Sequence, residues 1–228
     1  MSYSAIFKGG GFGCPHWARL FFAFRKAIRW RFTAEDGRCA PEQWRRIEIE
    51  DLPISAYIAL KAGTADLECH GFRLFGITRS DMIGLLSDYE SVLISEDRTT
   101  VCTFTAMRLG LGSEPISIFI TRLRSDLVDG TILMTMRGMR FPSYMIRPHH
   151  RVEMLPETTK TAELVQRHRE RLSSIPAQQL AHVPNEQVAG YLLKNGKGAW
   201  EDLMATGLFR KLSGSEVARI KDIQFDFE

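Results

Sequence analysis

Three short pairs of cysteine and histidine residues are the positions in this sequence that could bind a metal ion. The pairs are Cys14 with His16, Cys69 with His70, and His149 with His150. Thiolate and imidazole are preferred ligands of zinc, but zinc motifs usually carry two ligands two to four residues apart, twice over, because all four must turn toward one tetrahedron. The three pairs do not form such a motif. We therefore expect buried thiols and surface histidines, and we predict neither a metal site nor a cofactor.

Nucleophilic catalysis by a cysteine is the second chemistry that the residue types allow. Cys14 lies in a glycine-rich stretch beside His16 and just before a predicted helix, a setting that lowers the pKa of a thiol. Cys102 falls within a predicted strand and is expected to be a small core residue. The sequence lacks the G-x-S-x-G, H-E-x-x-H and protein-kinase motifs, so no catalytic residue is predicted. The alternative function is a thiol- or metal-dependent enzyme acting on an anionic small molecule, with Cys14 and His16 near Arg137 or His149.

The distribution of charge gives the clearest indication of binding. The net charge is +3, yet residues 1–34 contain six basic residues and no acidic one, which leaves 24 basic and 27 acidic residues in the remaining chain. A second acid-free stretch, between Asp129 and Glu153, holds further candidate binding residues. These are Arg137, Arg140 and Arg147. Clustered cations attract the phosphates of lipids or nucleic acids, although each stretch could instead neutralise acids folded against it.

Residues 15–32 combine these cations with aromatic side chains at helical spacing. Pro15 suits the first position of a helix, and the apolar residues after it recur every three or four positions, with cations opposite. The residues predicted to bind a membrane or a partner are Trp17, Arg19, Phe21, Phe24, Arg25, Lys26 and Arg29. If the helix ends near Ala27, residues 28–32 alternate as in a half-exposed strand. In either case the segment is amphipathic and basic.

Three kinds of surface compete for the apolar face of this segment. It could cover the open face of the protein's own sheet, which is the commoner use of such a face. It could also dock on another protein, or insert among acyl chains while each cation near an anionic leaflet adds about 1 kcal/mol. Nucleic acid is the least favoured partner, because no recognisable binding module is present. The leading prediction is a non-enzymatic binding or assembly subunit that docks on an anionic membrane surface or a larger protein complex.

The surrounding elements are predicted from periodicity and turn residues. A hairpin is expected at residues 89–109, and two further strands at 116–123 and 131–137, with an Asp-Gly turn before the last. Residues 54–90 give no clear pattern. After Pro148 strand composition stops, and helices are predicted from Thr159 or Thr161 to about Ser174, from Asn185 to about Gly196, and at 200–204 and 215–223.

Four strands followed by four short helices indicate an α+β fold, an antiparallel β-meander packed by helices and followed by a helical C-terminal region. Residues 1–14 are predicted to be a flexible glycine-rich lead-in, 15–150 the main α+β domain with the basic amphipathic segment, and 151–228 the helical C-terminal region. Four scattered cysteines fit a reducing compartment, and no apolar run approaches the roughly 20 residues of a membrane span. We expect a cytoplasmic protein whose membrane association depends on residues 15–32.

Overall fold

One seven-stranded sheet forms the centre of the molecule in the computed structural model, which describes residues 46–80, 86–109, 116–138 and 149–205. The strands are β1 (Arg46–Ile47), β2 (Phe72–Ser80), β3 (Leu86–Ser95), β4 (Val101–Leu109), β5 (Ile116–Asp126), β6 (Ile132–Arg137) and β7 (His150–Leu155). The α-helices within these ranges are α1 (Ile54–Glu68), α2 (Thr161–Ser173) and α3 (Val188–Ala205). Strands adjacent in the chain are adjacent in the sheet, and all pairs are antiparallel except β6 with β7, which is parallel. The predicted α+β fold with a meander order is confirmed.

Turn chemistry explains why the predicted hairpins form. Between β3 and β4, the Asp97 carboxylate accepts hydrogen bonds from the Ser95 hydroxyl and from the backbone N–H of Thr99, and Arg98 takes a positive φ of 60°. Between β5 and β6, the Asp129 carboxylate accepts a hydrogen bond from the Thr131 N–H, and Gly130 takes a φ of 83°. Short side chains that bond to their own turn, and a glycine at positive φ, are typical of such connections.

Three parts of the chain differ from the sequence prediction. The unassigned residues 54–90 contain α1 and β2. Strand β7 was missed because Pro148 was interpreted as the end of the sheet, so the helical C-terminal region begins at Thr161 rather than at residue 151. Helix α3 continues through Gly196, where a stop was predicted, and includes residues 200–204. An interior glycine costs a helix only about 1 kcal/mol, which packing can outweigh.

Helices α1 and α2 cover one face of the sheet, which we call the two-helix face. Its core joins apolar side chains of both helices to β3, β4 and β5. The members that are at most 1% exposed are Leu60, Leu67, Leu93, Cys102, Leu123 and Leu164. Cys102 is thus confirmed as a core residue. Burial of several complete leucine side chains makes this face the main source of hydrophobic stability, at roughly 2 to 3 kcal/mol for each.

Helix α3 lies on the opposite face, which we call the one-helix face. Tyr191 and Leu192 of α3 pack against a smaller cluster that includes Val92, Ile94 and Val101. A separate apolar cluster lies farther along this face, on β5, β6 and β7. It consists of Ile118, Ile120, Met134, Met136, Val152 and Met154. Strand pairing places the two clusters on one face, because Val101 lies opposite Arg124, Arg124 opposite Met134, and Met134 opposite Val152.

Candidate functional site

Most of the predicted binding residues lie outside the described residues. They are Trp17, Arg19, Phe21, Phe24, Arg25, Lys26, Arg29, Arg140 and Arg147. The same holds for Cys14 and His16, the thiol and imidazole of the alternative enzyme. Arg137 is the predicted binding residue whose contacts the structure describes.

Arg137 lies at the end of β6, where its half-buried guanidinium joins the sheet to the start of α2. It donates hydrogen bonds to the Thr121 hydroxyl (3.2 Å), the Thr159 carbonyl and the Thr161 hydroxyl (2.8 Å). The Thr161 hydroxyl in turn donates to the Asp66 carboxylate on α1. Helix α2 begins at Thr161, which is one of the two starting residues predicted for it. Arg137 therefore holds two helices against the sheet.

A second buried polar cluster lies beneath α2 and is centred on His168. The His168 ring shares hydrogen bonds with the Ser125 hydroxyl at Nε2 (3.1 Å) and with the Thr135 hydroxyl at Nδ1 (2.9 Å). Ser125 and the Thr100 hydroxyl are 2.9 Å apart. Arg171 donates to the Thr135 hydroxyl at 2.6 Å. His168 is 2% exposed, Ser125 1% and Thr135 0%, so the cluster lies within the core of the two-helix face.

The pairing of Ser125 with His168 does not amount to a nucleophile and its base. A catalytic histidine is usually oriented by a carboxylate, whereas the second partner here is the Thr135 hydroxyl. Burial, with a smaller contribution from the nearby Arg171 charge, lowers the pKa of His168 to about 4, so this imidazole is a weak base at neutral pH. A cavity of about 200 Å³ reaches His168 and Thr100, but Ser125 is not among its lining residues. The cluster is a structural network that satisfies buried polar groups.

The structure describes two thiols, of which Cys102 is buried and Cys69 is exposed. Burial raises the pKa of the Cys102 thiol far above its ordinary value, because the anion would lie in the core of the sheet. Cys69 is exposed at the end of α1, next to His70. The His70 carbonyl accepts a hydrogen bond from Arg169 at 2.7 Å, which ties this turn to α2. The prediction that buried thiols act as core residues is confirmed for Cys102.

His149 and His150 meet an acidic side chain that the sequence analysis did not connect with them. The Asp202 carboxylate of α3 lies 3.4 Å from His149 Nε2 and 3.8 Å from His150 Nε2. The two rings are perpendicular, with centroids 4.4 Å apart. The histidine pair was visible in the sequence as a group of ligand type. Asp202 was not, because it lies 52 positions after His150 and only the crossing of α3 over the one-helix face brings it near.

Comparison with known proteins gives no indication of what this site does. No protein-family model, curated protein or solved structure matches the chain. Within the described ranges, none of the helices has both the length and the apolar composition required to cross a bilayer.

Proposed function

We propose that this protein is a non-enzymatic binding or assembly subunit that docks on an anionic membrane surface through residues 15–32. The observation that carries the proposal is the joint occurrence of aromatic and basic residues in a part of the chain that contains no acid. Residues 1–34 hold six bases and no acidic side chain, whereas the remaining chain has an excess of three acids. Residues 1–34 are therefore the part of the chain with the largest excess of positive charge, and we assign them the main attraction to anionic lipid.

The packing of the sheet identifies the surface that competes with a membrane for this segment. The commonest role of an amphipathic helix is to cover a sheet, and α1, α2 and α3 already pack against the two faces. Those helices and the strands beneath them contribute the most deeply buried leucines of the described core. Among the described residues, the apolar cluster on β5, β6 and β7 consists of strand residues alone. The protein's own sheet therefore remains the competing surface for residues 15–32, and the vesicle experiment below decides between the two.

The chemistry of the described residues also favours binding over catalysis. The Ser125–His168 pair is enclosed in the core and has no carboxylate partner, and the Cys102 thiol is held in its neutral form by burial. Arg137 is bonded to Thr121, Thr159 and Thr161. In this proposal Arg137 positions α2, and the lipid contacts are made by residues 15–32, with Arg140 and Arg147 as further predicted contributors.

Sedimentation of the full chain with lipid vesicles tests the proposal. We expect binding to vesicles that contain phosphatidylserine, weaker binding at high salt, and little binding to pure phosphatidylcholine vesicles. The triple variant Arg25→Gln/Lys26→Gln/Arg29→Gln should bind roughly 100-fold more weakly, since each cation near the surface contributes about 1 kcal/mol. Replacement of Trp17, Phe21 and Phe24 by Asp should abolish binding, because the inserted apolar area is lost.

A matched charge control separates the location of the cations from their number. The variant Lys61→Gln/Lys194→Gln/Lys197→Gln removes three exposed cations from the described fold and changes the net charge by the same amount. It should bind vesicles as the native chain does. Equal loss in both triple variants, or no preference for anionic vesicles, contradicts the proposal. Two results together would instead assign residues 15–32 to the core. The aromatic-to-Asp variant would be unfolded, and the Arg25, Lys26 and Arg29 variant would be folded and would still bind vesicles. Retention of a protein complex without vesicle binding would identify a protein partner.

A further inference from the structure

We infer that His149, His150 and Asp202 form a binding site for a divalent transition-metal ion of the zinc class. The three residues lie where the start of β7 meets α3, on the one-helix face of the sheet. None of them belongs to residues 15–32, so the inference is independent of the docking function.

The distances between the three side chains match the size of a zinc coordination shell. One ligand atom from each residue can be chosen so that all three lie within 4.8 Å of one another. The Asp202 Oδ2 atom is 3.4 Å from His149 Nε2 and 3.8 Å from His150 Nε2. In a tetrahedral zinc site with bonds of about 2.0 to 2.1 Å, neighbouring ligand atoms are separated by about 3.4 Å. The two distances from the Asp202 carboxylate are therefore close to those of a coordination shell.

The local backbone explains how two adjacent histidines reach one point. Successive side chains of a regular strand point to opposite faces, which would separate the two imidazoles. His149 lies in a turn and β7 begins only at His150, so this alternation does not apply to the pair. The His149 carbonyl accepts a hydrogen bond of 2.9 Å from the Ile132 N–H, and Ile132 lies opposite His150 in the parallel pairing. Strand β6 thus fixes the backbone that carries both ligands.

The types of ligand select the class of metal. Two imidazole nitrogens and one carboxylate oxygen suit zinc and its neighbours in the transition series, whereas magnesium and calcium prefer a shell made of oxygens. Three protein ligands leave one coordination position for water or an anion, as in catalytic zinc sites. Side-chain exposures of 44% for His149, 15% for His150 and 32% for Asp202 leave a path for the ion from solvent.

Metal binding at this point would also join distant parts of the chain. His149 directly precedes β7 and His150 is its first residue. Asp202 lies near the end of α3, and helix α2 comes between the two in the sequence. Because the unfolded chain does not hold the three ligands together, the ion binds the native state preferentially and stabilises it by mass action. Zinc would therefore anchor α3 to the edge of the sheet.

Calorimetric titration of the chelator-treated full chain with Zn²⁺ tests the inference. We expect one ion per chain in the site, a higher midpoint of thermal unfolding with Zn²⁺, and visible absorption of a low-symmetry complex when Co²⁺ is added instead. His150→Gln and Asp202→Asn should each weaken Zn²⁺ binding at least tenfold and remove the rise of the midpoint. Circular dichroism of the metal-free variants establishes whether they are folded.

Two control variants separate this site from other side chains of the same type. Glu201→Gln removes the exposed carboxylate adjacent to Asp202, and His182→Gln removes an exposed imidazole elsewhere. Both should bind Zn²⁺ as the native chain does. Unchanged binding in folded Asp202→Asn and His150→Gln variants would overturn the inference and place the ion at other ligands. It would also be overturned if Asp202→Asn lowers the midpoint of the metal-free protein while Zn²⁺ changes neither protein, since the group would then be an ion pair alone.

Discussion

The two faces of the sheet differ in how completely their helices are fixed to the strands. On the two-helix face, Leu164 of α2 is 0% exposed and His168 of the same helix is 2% exposed. On the one-helix face, Leu192 and Tyr191 of α3 are only partly buried. Val188 at the start of α3 is 5% exposed, so α3 is anchored at that end, whereas Leu164 and His168 of α2 are more deeply buried. We expect stability to be concentrated on the first face, whereas the second face presents the histidine and aspartate group.

The hydrogen bonds between helix and sheet also differ between α2 and α3. Beneath α2 the Arg171 guanidinium donates to the Met134 carbonyl, the Thr135 hydroxyl and the Arg151 carbonyl, so that one side chain joins β6 and β7 to the helix. Contact between α3 and the sheet includes the hydrogen bond from the Tyr191 hydroxyl to the Asp126 carboxylate, at 2.6 Å, and the approach of Asp202 to His149 and His150. Removal of the Arg171 side chain would break three hydrogen bonds to two strands, whereas removal of the Tyr191 hydroxyl would break one, which should make α2 the less tolerant helix.

Truncation of one leucine on each face should give the largest difference between them. Leu164→Ala removes a fully buried side chain and should lower the free energy of unfolding by about 3 to 4 kcal/mol. Leu192→Ala on α3 removes a partly exposed side chain and should cost about 1 kcal/mol, because less apolar area is lost. Urea denaturation with a common m-value measures both. Equal losses would show that α3 is packed as firmly as α2.

The elements that were predicted from the sequence differ from the missed ones in whether a local signal marks them. Strands β3 to β6 were predicted because their turns carry local signals, the Asp97 and Asp129 carboxylates and Gly130 at positive φ. Helix α1 was not predicted, because its apolar residues are distributed around the helix rather than along one stripe, and only part of them is buried. Strand β7 was missed because it pairs in parallel with β6, and a parallel pair is not joined by a hairpin turn that could be recognised in the sequence.

Candidate sites were harder to predict than strands, for a physical reason. The sequence showed that His149 and His150 are adjacent, but their proximity to Asp202 depends on the path of α3 across the sheet. His168 lies within the helix that was predicted from Thr159 or Thr161 to about Ser174. Its hydrogen bonds to Ser125 and Thr135 depend on which strands lie beneath α2, and no local pattern encodes that.

The pH dependence of stability should distinguish the two faces next. The pKa of His168 is about 4 in the folded protein and near 6.5 in an unfolded chain, so the unfolded state binds this proton more tightly. The contribution of His168 to stability is therefore complete above pH 6.5 and is lost as the pH falls from 6.5 to 4, by about 3 kcal/mol at most. His168→Gln should show a shallower loss over this interval in urea denaturation. His182→Gln, at an exposed histidine, should follow the native curve. Identical slopes for all three proteins would place the titration elsewhere.

Glycine-to-alanine exchanges in α1 and α3 should give the smallest effects, with opposite signs. A Cβ at Gly63 of α1 would lie 2.5 Å from the Phe104 ring, and that ring is 7% exposed and stacks on Phe119. Gly63→Ala should therefore lower the free energy of unfolding by about 1 to 2 kcal/mol, despite the better helix propensity of alanine. A Cβ at Gly198 of α3 meets nothing within 4 Å, so Gly198→Ala should raise it by about 0.5 to 1 kcal/mol. Thermal and urea unfolding measure both changes. A destabilising Gly198→Ala would mean that α3 is packed as closely as α1, and the difference between the two faces would then lie in their polar contacts alone.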